Sequence, residues 1–273
     1  SWQEFKLYID NFSENWAYRG QASSEWLLNN AIERTEYIQH YEGIEVEFLA
    51  EFQRGARNYL SKDETPSHII EWLALMQHHG APTRLLDLTK SPFIAAYFAY
   101  ELAFLNEDSS VAIWCVNIEV LKNRSLEILG GEFADALKET NNLINEDLFE
   151  KVFYENKKNL VFPVEPFRMN RRYSLQQSIF ISTGTSKVPL MDQLMFLKRD
   201  LPKAVVKIEM PSKDKKLALR DLQKMNLNRA SLFPDLDGYA TALRLRYDSM
   251  KSPGEWEKEQ EIKNSDHEYP FFP

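Results

Sequence analysis

The chain has 273 residues, 44% of them hydrophobic, and a formal net charge of -8. This length allows one large domain or two small ones with a core of ordinary size. The acidic balance excludes the global positive field that draws proteins to nucleic acid or to anionic membranes, so any contact with nucleic acid has to be local.

The single cysteine, Cys115, lies in an apolar run, which excludes a disulfide framework and favours a reducing compartment. No stretch approaches the roughly 18 consecutive apolar residues of a membrane span. The first residues also lack the basic and apolar regions of a secretory signal. We therefore expect a cytoplasmic protein with no membrane partner.

No repeat, low-complexity tract or Gly/Ser linker interrupts residues 1–250, which predicts a single domain over that range. From residue 251 the composition turns charged and poor in apolar residues. Residues 251–273 are therefore predicted to form a charged C-terminal tail.

The first predicted elements are one short strand followed by two helices. A strand is expected over 16–19, and a helix over 43–60, where apolar residues recur at helical spacing. The next helix is predicted to have Thr65 as N-cap and Pro66 as its first residue, and to end at Gly80.

A short extended segment is predicted over 83–89, and Ser91-Pro92 then signals the start of an apolar helix that runs to Leu105. Because β-branched and aromatic residues cluster late in the chain without strict βαβ alternation, the predicted fold class is α+β. The remaining predicted strands cover 111–118, 173–182 and 204–210, and the remaining predicted helices cover 131–156, 189–198 and 212–225.

The run Tyr18-Arg19-Gly20-Gln21 ends the first predicted strand. An arginine followed by glycine suits recognition of a phosphate or carboxylate, because the guanidinium can form two parallel hydrogen bonds and the glycine lets a ligand approach the backbone. The alternative is that Arg19 belongs to a structural ion pair.

Two histidines, His78 and His79, fall in the last turn of the helix that ends at Gly80. Adjacent side chains on a helix diverge by about 100°, and no further spaced ligands accompany them, so we expect no metal site. A histidine at this position can instead stabilise the C-terminal carbonyls of the helix.

Polar residues fill the extended segment that follows. Arg84 and Asp87 are three residues apart and so point to opposite faces, which predicts a distant partner for each and leaves open a role for Arg84 in anchoring the fold. Thr89 and Ser91 are two residues apart, so both hydroxyls can face one way and orient a substrate, while Ser91 also caps the next helix.

The predicted strand over 173–182 carries Gln176 and Gln177. It follows Arg168, Arg171 and Arg172, a local positive patch that is either a solvated loop or a contact with phosphate or nucleic acid.

Together these motifs resemble the FRG domain family, named for a Phe-Arg-Gly signature. Here Tyr18 replaces the phenylalanine, and Leu88 stands where family members often carry tryptophan. The resemblance covers about residues 16–245. It rests on Tyr18-Arg19-Gly20-Gln21, Trp26, Leu28, Arg34, Glu51-Phe52, Arg54, Arg57, the run 77–99, Gln176-Gln177, Phe180 and the run 232–238.

A weaker similarity is to ADP-ribosyltransferases, in the order of an aromatic-Arg-Gly strand end, a Thr-x-Ser step into an Ala-rich helix, and a late strand with Gln or Glu. It implies an ADP-ribosyltransferase-like mixed or antiparallel sheet core with flanking helices. It also implies that Arg19 holds NAD, that Thr89 and Ser91 line the nicotinamide side, and that a late carboxylate stabilises the oxocarbenium-like state formed when the nicotinamide bond breaks.

The late strand of this chain has no glutamate, so the similarity implies Glu209 as the carboxylate or Gln177 as a neutral substitute, beside Arg19, as the catalytic set. The residues expected to bind NAD are expected to converge around Arg19. They are Tyr18, Arg19, Gly20, Gln21, Gln77, His78, Gly80, Thr83, Arg84, Asp87, Thr89 and Ser91.

The resulting expectation is an NAD-dependent ADP-ribosyltransferase-like domain or NAD hydrolase. It would act on nucleic acid, protein or NAD itself, as toxins and phage-defence effectors do. The alternative is a non-catalytic module that binds a nucleotide or a partner through the same cleft. A hydrolase that uses His78 or His79 ranks lower, because no metal cluster or nucleophile pair accompanies them.

Overall fold

The computed structural model describes residues 1–35, 43–104, 108–130, 146–166, 168, 170–195, 197 and 200–248. The chain divides into two compact units, Ser1–Leu227 and a second that begins at Asn228. The predicted tail over 251–273 lies outside the described residues, so the single domain over 1–250 and the tail both stay predictions.

Within the described residues, six strands form one sheet in which every neighbouring pair is antiparallel, and helices pack on it, as the predicted α+β class requires. The sheet order is β4-β5-β2-β1-β3-β6. The strands are β1 (Trp16–Gln21), β2 (Leu85–Thr89), β3 (Ser110–Asn117), β4 (Val161–Val164), β5 (Ser178–Thr183) and β6 (Val205–Pro211).

The helices of the first unit are α1 (Trp2–Tyr8), α2 (Ile44–Ala56), α3 (Ile69–His78), α4 (Pro92–Glu101), α5 (Ile118–Leu129), α6 (Glu146–Glu155), α7 (Arg171–Leu175), α8 (Leu190–Met195), α9 (Leu201–Ala204) and α10 (Lys215–Lys224). Those described in the second unit are α11 (Arg229–Leu232) and α12 (Leu236–Asp248).

The pairing of the sheet is uneven at its centre. Strand β1 pairs with β3 along its whole length, and β2 does the same with β5, but β1 and β2 pair only where Tyr18 lies opposite Thr89. The sheet therefore consists of two three-stranded halves joined at one pair. We call this boundary, between residues 18–21 of β1 and 85–89 of β2, the seam.

Both faces of the sheet are covered. On one face, Leu85, Phe162 and Phe180 pack with apolar residues of α2, α3 and α6. On the other face, apolar residues of β1, β2, β3 and β5 pack against Leu28 and against Leu190 of α8. The polar residues of the seam are consequently held between two apolar layers.

Several predicted elements are confirmed closely. Helix α4 begins at Pro92, and the hydroxyl of its N-cap Ser91 accepts from the Ile94 amide at 3.3 Å. The helix ends at Glu101, four residues before the predicted end. The predicted strands over 16–19, 111–118 and 204–210 correspond to β1, β3 and β6.

The predicted start of α3 was wrong. The helix begins at Ile69 with His68 as N-cap, because the Thr65 hydroxyl donates to the Ser61 carbonyl at 3.0 Å and so belongs to the preceding turn. The Ser67 amide is bound instead by the carboxylate of Glu71, at 2.9 Å.

The predicted strand over 173–182 was also wrong in its first half. The side chain of Asn170 accepts from the Tyr173 amide at 2.8 Å and starts helix α7, so strand β5 begins only at Ser178. Gln176 and Gln177 lie in the connection between the two. Of the predicted helix over 131–156, residues 146–155 are helical and 131–145 lie outside the described residues.

Candidate functional site

Arg19 fills the seam at the point where β1 leaves β2. Its Nη1 donates to the main-chain carbonyl of Asp87 at 2.8 Å and lies 3.9 Å from Oδ2 of the Asp87 carboxylate. The two strands make no backbone pair beyond Tyr18 and Thr89, so this guanidinium supplies the donor that links Asp87 to the other half of the sheet.

The Nε atom of Arg19 is buried and has no acceptor within the described part of the chain. Burial lowers the pKa of Arg19, the Asp87 carboxylate opposes that effect, and nearby Arg34 adds to it. Arginine nevertheless remains charged at any ordinary pH. A buried donor without an acceptor is costly, and a bound acceptor would relieve that cost.

The Asp87 side chain is 50% exposed, although the strand that carries it is otherwise buried. Asp87 lies directly opposite Phe180 on β5, and the Phe180 ring contacts that of Tyr173 with centroids 5.2 Å apart. Burial raises the pKa of the Tyr173 hydroxyl, Asp87 raises it further, and Arg172 lowers it. The open carboxylate therefore lies beside two buried aromatic rings of the core.

The loop over 22–35 brings a second guanidinium towards the seam. Gln21 anchors the loop, because its Nε2 donates to the Leu27 carbonyl at 3.0 Å while its Oε1 accepts from the indole of Trp114 at 2.8 Å. The Ile32 amide donates to the Thr83 carbonyl at 3.3 Å, which ties the loop to the chain just before β2. Arg34 follows and is exposed.

Glu33 fastens the same loop to helix α8. Its Oε1 accepts from the Leu190 amide at 2.9 Å and from the Asn30 side chain at 2.7 Å. Burial raises the pKa of Glu33 from 4.5 to about 7, with Asp192 adding to the rise and Arg34 opposing it.

We expect replacement of Glu33 by glutamine to change how stability depends on pH. The raised pKa means that the folded chain holds the Glu33 proton more tightly than the unfolded chain does. The stability from this group is thus complete below the unfolded pKa and is lost as pH rises through the folded value. Glu33→Gln stays neutral, so its free energy of unfolding should rise relative to wild type between about pH 5 and about pH 8.

Urea unfolding at the two pH values measures this effect, with Glu47→Gln on the exposed face of α2 as the control. A difference between Glu33→Gln and wild type that does not vary with pH would contradict the prediction.

The structure places the other predicted residues around the seam at different depths. Thr89 and Ser91 form hydrogen bonds within the protein. The Thr89 hydroxyl donates to the Gln176 carbonyl at 2.7 Å and accepts from the Ser91 amide at 3.1 Å. The Thr83 hydroxyl donates to Oε1 of Gln77 at 2.6 Å. These bonds fix the backbone on either side of Asp87.

The other residues predicted to bind NAD make contacts that mainly support the fold. Tyr18 is buried against Phe12, Gly20 lies against helix α4, and Gly80 ends α3 with a φ of +86°. The His78 ring lies 5.8 Å from that of Tyr173, which places the histidine against the buried tyrosine. Among the described residues, no group of three His, Cys, Asp or Glu side chains is arranged to hold a metal ion.

Arg84 points away from the seam and is almost fully buried. Its Nε donates to both carboxylate oxygens of Glu45, at 3.0 and 2.8 Å, and its guanidinium carbon lies 4.4 Å from the centroid of the Phe153 ring. This arrangement matches the anchoring alternative. Glu45 was not singled out from the sequence, where it is one acidic residue among several in the first turn of α2.

The two candidates for the late catalytic position are separated from β1 by an intervening strand, β2 for Gln177 and β3 for Glu209. Gln177 has a left-handed φ of +48°, and its carbonyl accepts from the Lys90 amide at 2.9 Å. Glu209 lies on β6, beyond β3 as seen from β1, and its carboxylate forms an ion pair with Lys207 at 2.7 Å.

The FRG domain model matches residues 14–108, a range that includes both strands of the seam and all of α4. The FRG resemblance is therefore confirmed over this segment, while its extension to residue 245 stays a prediction. No curated protein and no solved structure matched the chain. In the part of the chain that the structure describes, no helix has both the length and the apolarity needed to cross a bilayer.

Proposed function

We propose that the chain is an ADP-ribosyltransferase-like domain that binds NAD, or a closely related nucleotide, at the seam. The observation that carries the proposal is the buried Nε of Arg19, a charged donor without an acceptor among the described residues. Dinucleotides bring phosphate oxygens, which accept charge-assisted hydrogen bonds from guanidinium groups in preferred planar geometry.

Charge around Arg19 supports an anionic ligand. The neighbouring Arg34 is a like charge, which disfavours the ionised form of Arg19, and a bound phosphate would oppose that effect. The single backbone pair between β1 and β2 leaves other main-chain groups of these strands free of each other along the seam. Ribose hydroxyls are suitable partners for such groups.

The alternative is a module that binds a nucleotide without turning it over. The ion pair between Glu209 and Lys207 favours it, because a carboxylate that is paired with a lysine on the outermost strand is poorly placed to stabilise a cation near Arg19. On this alternative, NAD binds and no nicotinamide is released.

We expect Arg19→Ala to weaken NAD binding by about 10- to 100-fold, the range that corresponds to loss of a hydrogen bond from a charged group. Isothermal titration calorimetry on the purified chain gives the affinity, and a nicotinamide-release assay on the same preparation separates enzyme from module. Because the Arg19 side chain is only 23% exposed and also binds the Asp87 carbonyl, we expect the melting temperature to fall as well, so the titration is run at a temperature at which both chains are folded.

The matched control is Arg54→Ala, which removes an exposed guanidinium from helix α2. It should leave the affinity unchanged. Equal affinities in wild type and Arg19→Ala, or no binding of NAD by the wild-type chain, would refute the proposal.

A further inference from the structure

We infer that the exposed face of helix α10, together with the turn that precedes it, binds the phosphate backbone of single-stranded nucleic acid. The chain as a whole carries a net charge of -8, so such a contact requires a local concentration of positive charge. This surface shares no residue with the seam. The inference therefore does not depend on the proposed function, and either can fail without the other.

Four cationic side chains lie along this face. Lys213 belongs to the short 3-10 turn Ser212–Asp214, and Lys216, Arg220 and Lys224 follow on α10; all four are exposed. At about 100° per residue they fall within an arc of about 80°, and at about 1.5 Å per residue they span about 16 Å. That length corresponds to roughly five nucleotide steps of about 3.4 Å. We call these four residues the basic stripe.

The basic stripe is not neutralised by the part of the chain that the structure describes. Its first three cations form no ion pair there, and the fourth, Lys224, lies 3.8 Å from Oδ1 of Asp221. The two carboxylates of this segment are directed to α1, because Asp214 accepts from the Trp2 amide at 2.8 Å and Asp221 accepts from the Trp2 indole at 2.9 Å. The cations therefore keep donors for an anionic ligand.

An exposed aromatic side chain lies near the start of the basic stripe. Nζ of Lys215 donates to the carbonyl of Glu101 at 3.1 Å and to that of Ala103 at 2.7 Å, which holds the chain after α4 against the first turn of α10. Phe104 comes next and is 84% exposed. Proteins that bind single strands without sequence preference combine a cationic track with aromatic rings on which bases stack.

The packing of α10 favours nucleic acid over a lipid surface. A helix that lies on a membrane inserts its apolar face between the lipids. The apolar face of α10 is already used, because Ala218 and Leu222 are buried and the helix packs on α4. What α10 leaves exposed is a row of cations, which suits a linear chain of phosphates.

The measurement is fluorescence anisotropy of a labelled oligothymidylate of about 12 nucleotides, in about 50 mM and about 200 mM salt. Each phosphate contact to a single strand contributes about -0.7 to the slope of log affinity against log salt. Four contacts therefore predict that the dissociation constant of the wild-type chain rises about 50-fold between the two salt concentrations.

The double variant Lys216→Gln with Arg220→Gln removes the middle of the basic stripe. We expect it to bind about 10-fold or more weakly at the lower salt concentration and to show about half the wild-type salt slope. The matched control is Lys62→Gln with Lys157→Gln, which removes the same charge from exposed positions elsewhere. It should leave affinity and slope close to wild type.

Two further variants test the surface near Phe104. Phe104→Ala should weaken binding about fivefold or more without a change in salt slope, because stacking is lost and no phosphate contact is. Tyr59→Ala, at a position 88% exposed on another part of the surface, is its control. The Ser212 amide donates to the Ser109 carbonyl at 2.9 Å, which brings exposed Asp108 towards the start of the basic stripe, so Asp108→Asn should tighten binding.

The contrary results are distinct. Absence of binding by the wild-type chain at the lower salt concentration overturns the inference. Equal losses in the two double variants overturn it as well, because overall charge and not the basic stripe would then set the affinity. Polyglutamate that competes as well as unlabelled oligonucleotide would assign the surface to an acidic peptide, and tighter binding to vesicles of anionic lipid would assign it to a membrane. The NAD titration with Arg19→Ala is unaffected by any of these outcomes.

Discussion

Replacement of Gly20 by alanine is expected to prevent the chain from folding. A Cβ atom at this position would lie 1.8 Å from the carbonyl oxygen of Ala95 and 2.7 Å from the amide nitrogen of Ala99. Both atoms belong to the backbone of α4, so no side chain can turn aside, and β1 would have to move away from the helix. We expect a loss on the order of 4 kcal/mol or more, the size associated with severe steric conflicts in a core.

The measurement is the yield of folded protein together with its free energy of unfolding in urea. Gly55→Ala is a matched control, since a Cβ there meets nothing within 4 Å and alanine is the better residue in helix α2. It should leave stability equal or slightly higher. A Gly20→Ala chain within about 1 kcal/mol of wild type would show that the contact between β1 and α4 is looser than the structure indicates.

Replacement of Arg84 by methionine should destabilise the fold by about 3–5 kcal/mol, because it leaves the Glu45 carboxylate buried without its partner. Arg84 and Glu45 join the chain before β2 to helix α2, and the cation also lies over Phe153 of α6. The expected loss therefore comes from the uncompensated charge and from the packing of three elements, not from the ion pair alone.

A second substitution tests this explanation. In the double variant Arg84→Met with Glu45→Leu, both charges are gone, and much of the lost stability should return. Lys90→Met, which breaks a more exposed pair with Glu165, is the control and should cost about 1 kcal/mol or less. A double variant no more stable than Arg84→Met would mean that packing against Phe153 is the main contribution.

Elements with local signals could be predicted from the sequence. Helix α4 follows from the cap and proline at Ser91-Pro92, and β3 from a continuous apolar run, because both signals act between residues close in the chain. Asn170 carried such a signal too, as the N-cap of α7, yet the neighbouring aromatic and β-branched residues favoured a strand there.

The arrangement of the site depends on long-range contacts, which a single sequence does not encode locally. Contact between Arg19 and Asp87 was anticipated from the motifs, but its closest bond goes to a main-chain carbonyl, an atom that every residue carries. The pairing of Arg84 with Glu45 joins residues 39 positions apart, and nothing local sets Glu45 apart from the other acidic residues of α2. Strand order, and with it the seam, follows from the packing of both sheet halves on their helices.

The outermost strands of the described sheet have a consequence for self-association. An unprotected edge can recruit a strand from another molecule, which leads to aggregation. Here β4 is only four residues long and contains Pro163, which has no N–H to offer, and β6 ends in Pro211 and carries the charged pair Lys207 and Glu209. These strands are poor templates for intermolecular β-pairing, so we do not expect the sheet to extend from one copy of the chain to another.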